Sequence, residues 1–155
     1  MDRDDVQKLL ADFGRTIGLD SLSLDDTGRL TLRIDDAFTV DIEHDDEEDI
    51  ILLAAELTRL GAEPERERLL ELLRGNLFFD ATEGATLALD GTDNLVVLQR
   101  TMRLEGLVVG EIARVLEIFI ATAETWKDRL AQPSAIEHGD EPQPTSRFDD
   151  KVLRV

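Results

Sequence analysis

Apolar residues recur along this chain with two different periods, and the switch between them sets the order of elements. Val6, Leu9, Leu10, Phe13 and Ile17 fall on one narrow stripe at helical spacing, which predicts a helix over 3–17. Asp2 or Asp4 can cap its start, and Gly18 stands where a glycine ends a helix. The period then drops to two. Leu22 and Leu24 form a weak alternation. Leu30, Leu32 and Ile34 alternate with Arg29, Thr31 and Arg33, and Phe38, Val40 and Ile42 alternate with Thr39, Asp41 and Glu43. This predicts half-buried strands. Asp25-Asp26-Thr27-Gly28 and Asp35-Asp36 supply turn residues between them, and the tight spacing predicts antiparallel hairpins.

Ile50-Ile51-Leu52-Leu53-Ala54-Ala55 is apolar on both faces, so periodicity alone does not separate helix from strand. Its opening β-branched residues and its place among hairpins favour a strand. Pro64 suits the first turn of a second helix over 64–79. There Leu69, Leu70, Leu72, Leu73, Leu77 and Phe79 spread over roughly half the circumference, wider than one packing surface needs, with Phe78 outside that arc. The excess points to a further packing surface, most simply a copy of the helix across a two-fold axis. Two strands follow near 85–90 and 94–104, with Gly91-Thr92-Asp93-Asn94 as the turn. A third helix over 106–131 carries Val108, Ile112, Val115, Leu116, Phe119, Ala123, Trp126 and Leu130 as its core stripe. The expectation is an α+β domain over 1–132, helix–three strands–helix–two strands–helix, with a twisted antiparallel sheet of five to six strands. Beyond Pro133 no period survives, and 133–155 is expected to be a disordered tail with a faint short motif in Phe148 and Val152-Leu153-Arg154-Val155.

Charge changes the picture of the partners. The net charge is -18, with 35 acidic residues against 17 basic ones. Such a chain repels phosphate backbones and anionic lipid, so neither nucleic acid nor a membrane surface is an expected partner. The same charge keeps a protein with exposed apolar surface soluble. Charge is also compatible with an acidic inhibitor or immunity-type protein that blocks a basic surface, with Asp45–Asp49 as the obvious contact. No secretory signal or spanning run is visible, which leads to the expectation of a cytoplasmic protein.

Candidate chemistry is thin. There are no cysteines, no tyrosines and two histidines, which excludes disulfides, thiolate metal sites and cysteine nucleophiles. The acidic run around His44 lacks the calcium-loop pattern and a further histidine at ligand spacing, so it reads as a solvated loop. His138 reads as a surface residue of the tail. Thr82-Glu83-Gly84-Ala85 and Gly106…Gly110 lack the lysine and glycine pattern of a phosphate loop, and no serine sits in a nucleophile elbow. Paired carboxylates remain conceivable, but in so acidic a chain proximity carries little weight. No enzyme, cofactor, metal or small-molecule substrate is expected.

The element order resembles the class I type III secretion chaperones, the Tir-chaperone (CesT-like) family, over about residues 3–131. Two stretches carry the resemblance: Leu9-Leu10-Ala11-Asp12-Phe13-Gly14-Arg15-Thr16-Ile17-Gly18, and Leu69-Leu70-Glu71-Leu72-Leu73-Arg74-Gly75-Asn76-Leu77-Phe78-Phe79. The 69–79 stretch is similar to the family's leucine-rich helix with its asparagine–leucine–aromatic–phenylalanine end. The resemblance implies a cytoplasmic homodimer paired through the helix over 64–79. It also implies a partner, the N-terminal region of a secreted effector, which wraps the dimer in extended form and is kept export-competent. On that footing Leu69, Leu72, Leu73, Leu77 and Phe78 are expected at the dimer interface. Leu32, Ile34, Phe38, Val40, Ile51 and Leu53 are expected to meet the effector, although the same side chains also fit a core.

Overall fold

A computed structural model describes residues 2–19, 22–91 and 93–134. Helix α1 spans Arg3–Thr16. The Asp2 carboxylate accepts the Asp5 N–H at 2.9 Å, and Asp4 and Asp5 fill the first turn, where negative charge is favoured. Its inner stripe is Val6, Leu10 and Phe13. Ile17, expected on that stripe, caps the C-terminus and is 47% exposed, because the chain leaves the helix there through Gly18.

Strands β1 (Arg29–Ile34), β2 (Phe38–Asp45) and β3 (Ile50–Arg59) form consecutive hairpins. Asp35 and Asp36 take left-handed conformations in the β1–β2 turn, which Asp tolerates better than most residues. In the β2–β3 turn Asp45 Oδ1 accepts the N–H groups of Glu47 and Glu48. Strands β4 (Thr86–Asp90) and β5 (Leu95–Arg103) complete a five-stranded, fully antiparallel sheet in the order β1-β2-β3-β5-β4. A bulge at Glu56–Thr58 sharpens its twist. Leu22 and Leu24 join no strand. They are buried, and the Gln7 side chain ties their backbone to α1 by donating to the Leu22 carbonyl at 3.0 Å and accepting the Leu24 N–H at 2.8 Å.

The register puts Leu32, Val40, Ala55 and Leu98 in line on one face, and Ile42 and Leu53 beside them. This face is sealed by α1 and by helix α3 (Val109–Leu130), whose Ile112, Leu116, Phe119, Ala123 and Trp126 are at most 1% exposed. Val108, expected in the α3 stripe, is the N-cap and is 60% exposed, while Leu104 and Leu107 ahead of it are buried. Among the described residues no helix covers the opposite face. Between β1 and β2 it is polar, with Arg29 paired to Glu43 and Thr31 donating to Asp41. Across β3, β5 and β4 it is a half-buried strip of Ile50, Leu52, Ala54, Val97 and Ala88.

The helix expected over 64–79 departs most from expectation. Helix α2 spans only Arg66–Gly75, and Leu77–Phe79 form a separate 3-10 turn. Its inward positions are Arg68, Glu71, Leu72 and Gly75, a helical stripe made mostly of charge and glycine. Arg68 bonds Glu71 at 2.6 Å with both side chains buried, Arg129 of α3 bonds the other Glu71 oxygen, and Arg68 also donates to the Gln132 carbonyl. A glycine is required at 75, since a Cβ there would lie 2.5 Å from the Trp126 ring.

Candidate functional site

The inward stripe of α2 leaves Leu73 facing out, and the turn after the helix does the same for Leu77, Phe78 and Phe79. Leu73 is 67% exposed, Leu77 60%, Phe78 42% and Phe79 52%, and on the neighbouring strand β4 Leu89 is 42% exposed. Exposed large apolar side chains gathered at one end of a molecule mark a contact surface. The turn that presents them is strained. Phe78 and Phe79 are consecutive non-glycine residues at φ 57° and 59°, a conformation that costs roughly 1–2 kcal/mol per residue. Tethers hold it. The Asn76 amide donates to the Leu87 carbonyl at 3.0 Å and its oxygen accepts the Leu87 N–H at 2.8 Å. The Trp126 indole N–H donates to the Ala81 carbonyl, and Gly84 N–H donates to the Phe79 carbonyl. Strain persists only where surroundings over-determine it, and here they do.

The residues expected at a dimer interface therefore divide. Leu73, Leu77 and Phe78 stand on the surface, Leu69 is half-buried, and Leu72 is 5% exposed in the chain's own core. The residues expected to meet an effector do not form a surface. Val40, Ile51 and Leu53 are at most 1% exposed, Leu32 and Phe38 are buried beside them, and Ile34 alone is half-buried at the core margin. The reason is the direction of the pleat: the expectation took the helix-covered face of β1–β3, and the open face carries the alternate residues.

Another surface lies at the outer edge of β1. Gly28, Leu30, Leu32 and Ile34 turn their backbone groups to β2, because the His44 N–H donates to the Gly28 carbonyl and pairing alternates from there. Arg29, Thr31 and Arg33 turn theirs outward. Asp25 satisfies Arg29: its N–H donates to the Arg29 carbonyl at 2.7 Å and its carboxylate accepts the Arg29 N–H at 3.0 Å. The Thr27 hydroxyl, and after it the Arg29 N–H, hold the Asp25 carboxyl below its ordinary value of 3.8. Among the described residues none caps Thr31 or Arg33, so this edge is open to another strand.

His44 lies in β2 rather than in the acidic turn, is buried to 8% exposure, and its Nε2 has no partner among the described residues. Asp46, Glu47 and Glu48 are exposed, as a solvated turn requires. Among the described residues no cluster of His, Asp or Glu is placed to hold a metal ion, and no helix is long and apolar enough to cross a membrane.

A helix-backed sheet with one open edge and a tethered apolar prow is the architecture of a domain that docks other chains. The sequence model of the Tir chaperone protein (CesT) family matches residues 8–127. A Chlamydia pneumoniae protein, CPj0713/CpB0740, is 30% identical over 127 residues, which cover 81% of this chain and 95% of that protein. Among solved structures, a chain of the ExsC–ExsE complex matches with a TM-score of 0.74 at 27% identity, covering 88% of this chain and all of that one. A chain of the HopA1–SchA chaperone–effector complex matches with a TM-score of 0.69 at 25% identity, covering 83% and 98%. A chain of the complex of the Yersinia pestis type III secretion chaperone SycH with a stable fragment of YscM2 shares the fold with a TM-score of 0.60 at 24% identity over 77% of this chain and 97% of that one. The chain belongs to the Tir chaperone protein (CesT) family, and its three helices on a five-stranded antiparallel sheet are the fold of type III secretion chaperones.

Proposed function

We propose that this protein is a cytoplasmic, homodimeric chaperone without catalytic activity, which binds the N-terminal region of a secreted effector and keeps it competent for type III secretion. Family membership and the likeness to chaperones complexed with effectors support the chaperone role. The observation that carries the rest is the prow of Leu73, Leu77, Phe78 and Phe79, held out by a strained and tethered turn on a chain of net charge -18. A stable fold keeps so large an apolar surface uncovered only for a partner. Self-association is the reading for the prow, with Leu73, Leu77 and Phe78 at its centre and Leu69 at its margin. Strand addition of an extended effector segment is the reading for the β1 edge at Thr31 and Arg33. Residues 1–132 make the working domain on this reading, and 133–155 are dispensable for folding. Of that tail, 135–155 lie outside the described residues.

The test joins mass and capture. Multi-angle scattering should give a dimer, and capture from the native host should yield one dominant partner whose isolated N-terminal region binds alone. Thr31→Pro or Arg33→Pro removes an outward N–H without touching the β1–β2 ladder and should weaken that binding at least about tenfold. Affinity should change little between low and high salt. A steep loss with salt would point to the acidic-inhibitor alternative.

A further inference from the structure

The sheet has two edges, and the structure treats them differently. On β1 the outward groups of Arg29 are satisfied by Asp25, and those of Thr31 and Arg33 have no cap among the described residues. On β4 the outward groups belong to Leu87 and Leu89, because Leu87 is bonded away from β5 and pairing alternates along the strand. Leu87 is the second residue of that five-residue strand, and both its N–H and its C=O are taken by the Asn76 side chain. The Ala85 N–H, just ahead of β4, is taken by the Thr82 carbonyl. An asparagine amide presents one donor and one acceptor in the spacing of a peptide group, so here it stands in for the next strand.

We infer that Asn76 is a specificity-determining residue that seals the β4 edge and so confines strand addition to β1. The inference rests on the strand-addition reading of β1 given above. Its physical content is separate: an unsealed edge strand is a template for any extended chain, including another copy of this one. Among the described residues, only the Leu89 N–H and C=O would then be left open on β4, too short a run to hold a strand. Because the same side chain anchors the turn that carries Phe78 and Phe79, the sealed edge and the apolar prow are set by one residue.

The experiment uses the full chain without cargo, so its outcome does not depend on whether an effector adds at β1. That question belongs to the Thr31→Pro and Arg33→Pro variants. Asn76→Ala should raise the assembled mass above that of the unsubstituted chain, in a concentration-dependent way, as β4 edges pair. Adding Leu89→Pro, which removes the remaining outward donor of β4, should abolish that concentration-dependent rise. A merely structural role for Asn76 would lower the melting temperature and leave the mass unchanged, and that result overturns the inference. Hydrogen exchange on the unsubstituted chain decides the matter if Asn76→Ala does not fold. The Leu87 N–H should then exchange at least about tenfold more slowly than those of Thr31 and Arg33. Equal rates at the two edges overturn the inference.

Discussion

Helices α1 and α2 carry similar amounts of apolar side chain and use it in opposite directions. In α1 the stripe of Val6, Leu10 and Phe13 is buried to 4% exposure or less, and the charged residues face water. Burying such side chains stabilises by about 1.5–3 kcal/mol each. In α2 the inward stripe is Arg68, Glu71, Leu72 and Gly75, while Leu69 and Leu70 are half-buried and Leu73 is turned out. A buried carboxylate is tolerated there because two guanidinium groups meet it. Hydrophobicity alone thus tells which residues share a face, and only the pairing of charges tells which face is inside.

That contrast can be broken at several points, in falling order of effect. Leu10→Asp places an unpaired charge in the α1 stripe and should abolish the cooperative unfolding transition seen by circular dichroism. Glu71→Ala strands the buried Arg68 guanidinium and should destabilise by about 3–5 kcal/mol in urea unfolding. Gly75→Ala drives a methyl group into Trp126 and should cost about 1–3 kcal/mol, with α2 losing its seat first. Leu73→Asp should change the stability of the isolated fold by less than about 0.5 kcal/mol, since the position is 67% exposed, while it abolishes the proposed dimer in sedimentation. The smallest effect is at Asp25. Its carboxyl is held below 3.8 in the fold, so its contribution is full above that value and lost as the pH falls through the lowered folded value. The stability difference between the unsubstituted chain and Asp25→Ala should accordingly shrink on acidification below about pH 4.

Much of the fold was legible from period alone. The spans of α1, the β1–β2 hairpin, the two later strands and α3 follow the runs of 3.6 and 2 in the sequence, and the doubly apolar 50–55 segment lies within β3, which spans Ile50–Arg59. The end of α2 was not legible. Leu77 and Phe79 fit the helical arc locally, and the helix stops because Asn76 is drawn to Leu87 on β4, a contact eleven residues away in sequence. The site was half legible for a related reason. The doubly apolar 50–55 run shows two faces and not which one the helices cover, and the single apolar face of the alternating strands fits a partner as well as a core; Leu32, Phe38, Val40, Ile51 and Leu53 all belong to the core. The β1 edge was missed because its features are main-chain groups of Thr31 and Arg33, which side-chain patterns do not report. His44 was read with its acidic neighbours, whereas its strand position inherits the inward phase of Val40 and Ile42.

One contact has a practical consequence. The chain has a single tryptophan and no tyrosine, so its near-ultraviolet emission comes almost wholly from Trp126. That indole is 1% exposed, closes against Gly75, and is pinned through its N–H to Ala81 beside the Phe78–Phe79 turn. The molecule therefore carries a built-in fluorophore at the seat of α2. Its emission should stay blue while the seat is closed and shift red as α2 lifts, giving a label-free optical record of the prow.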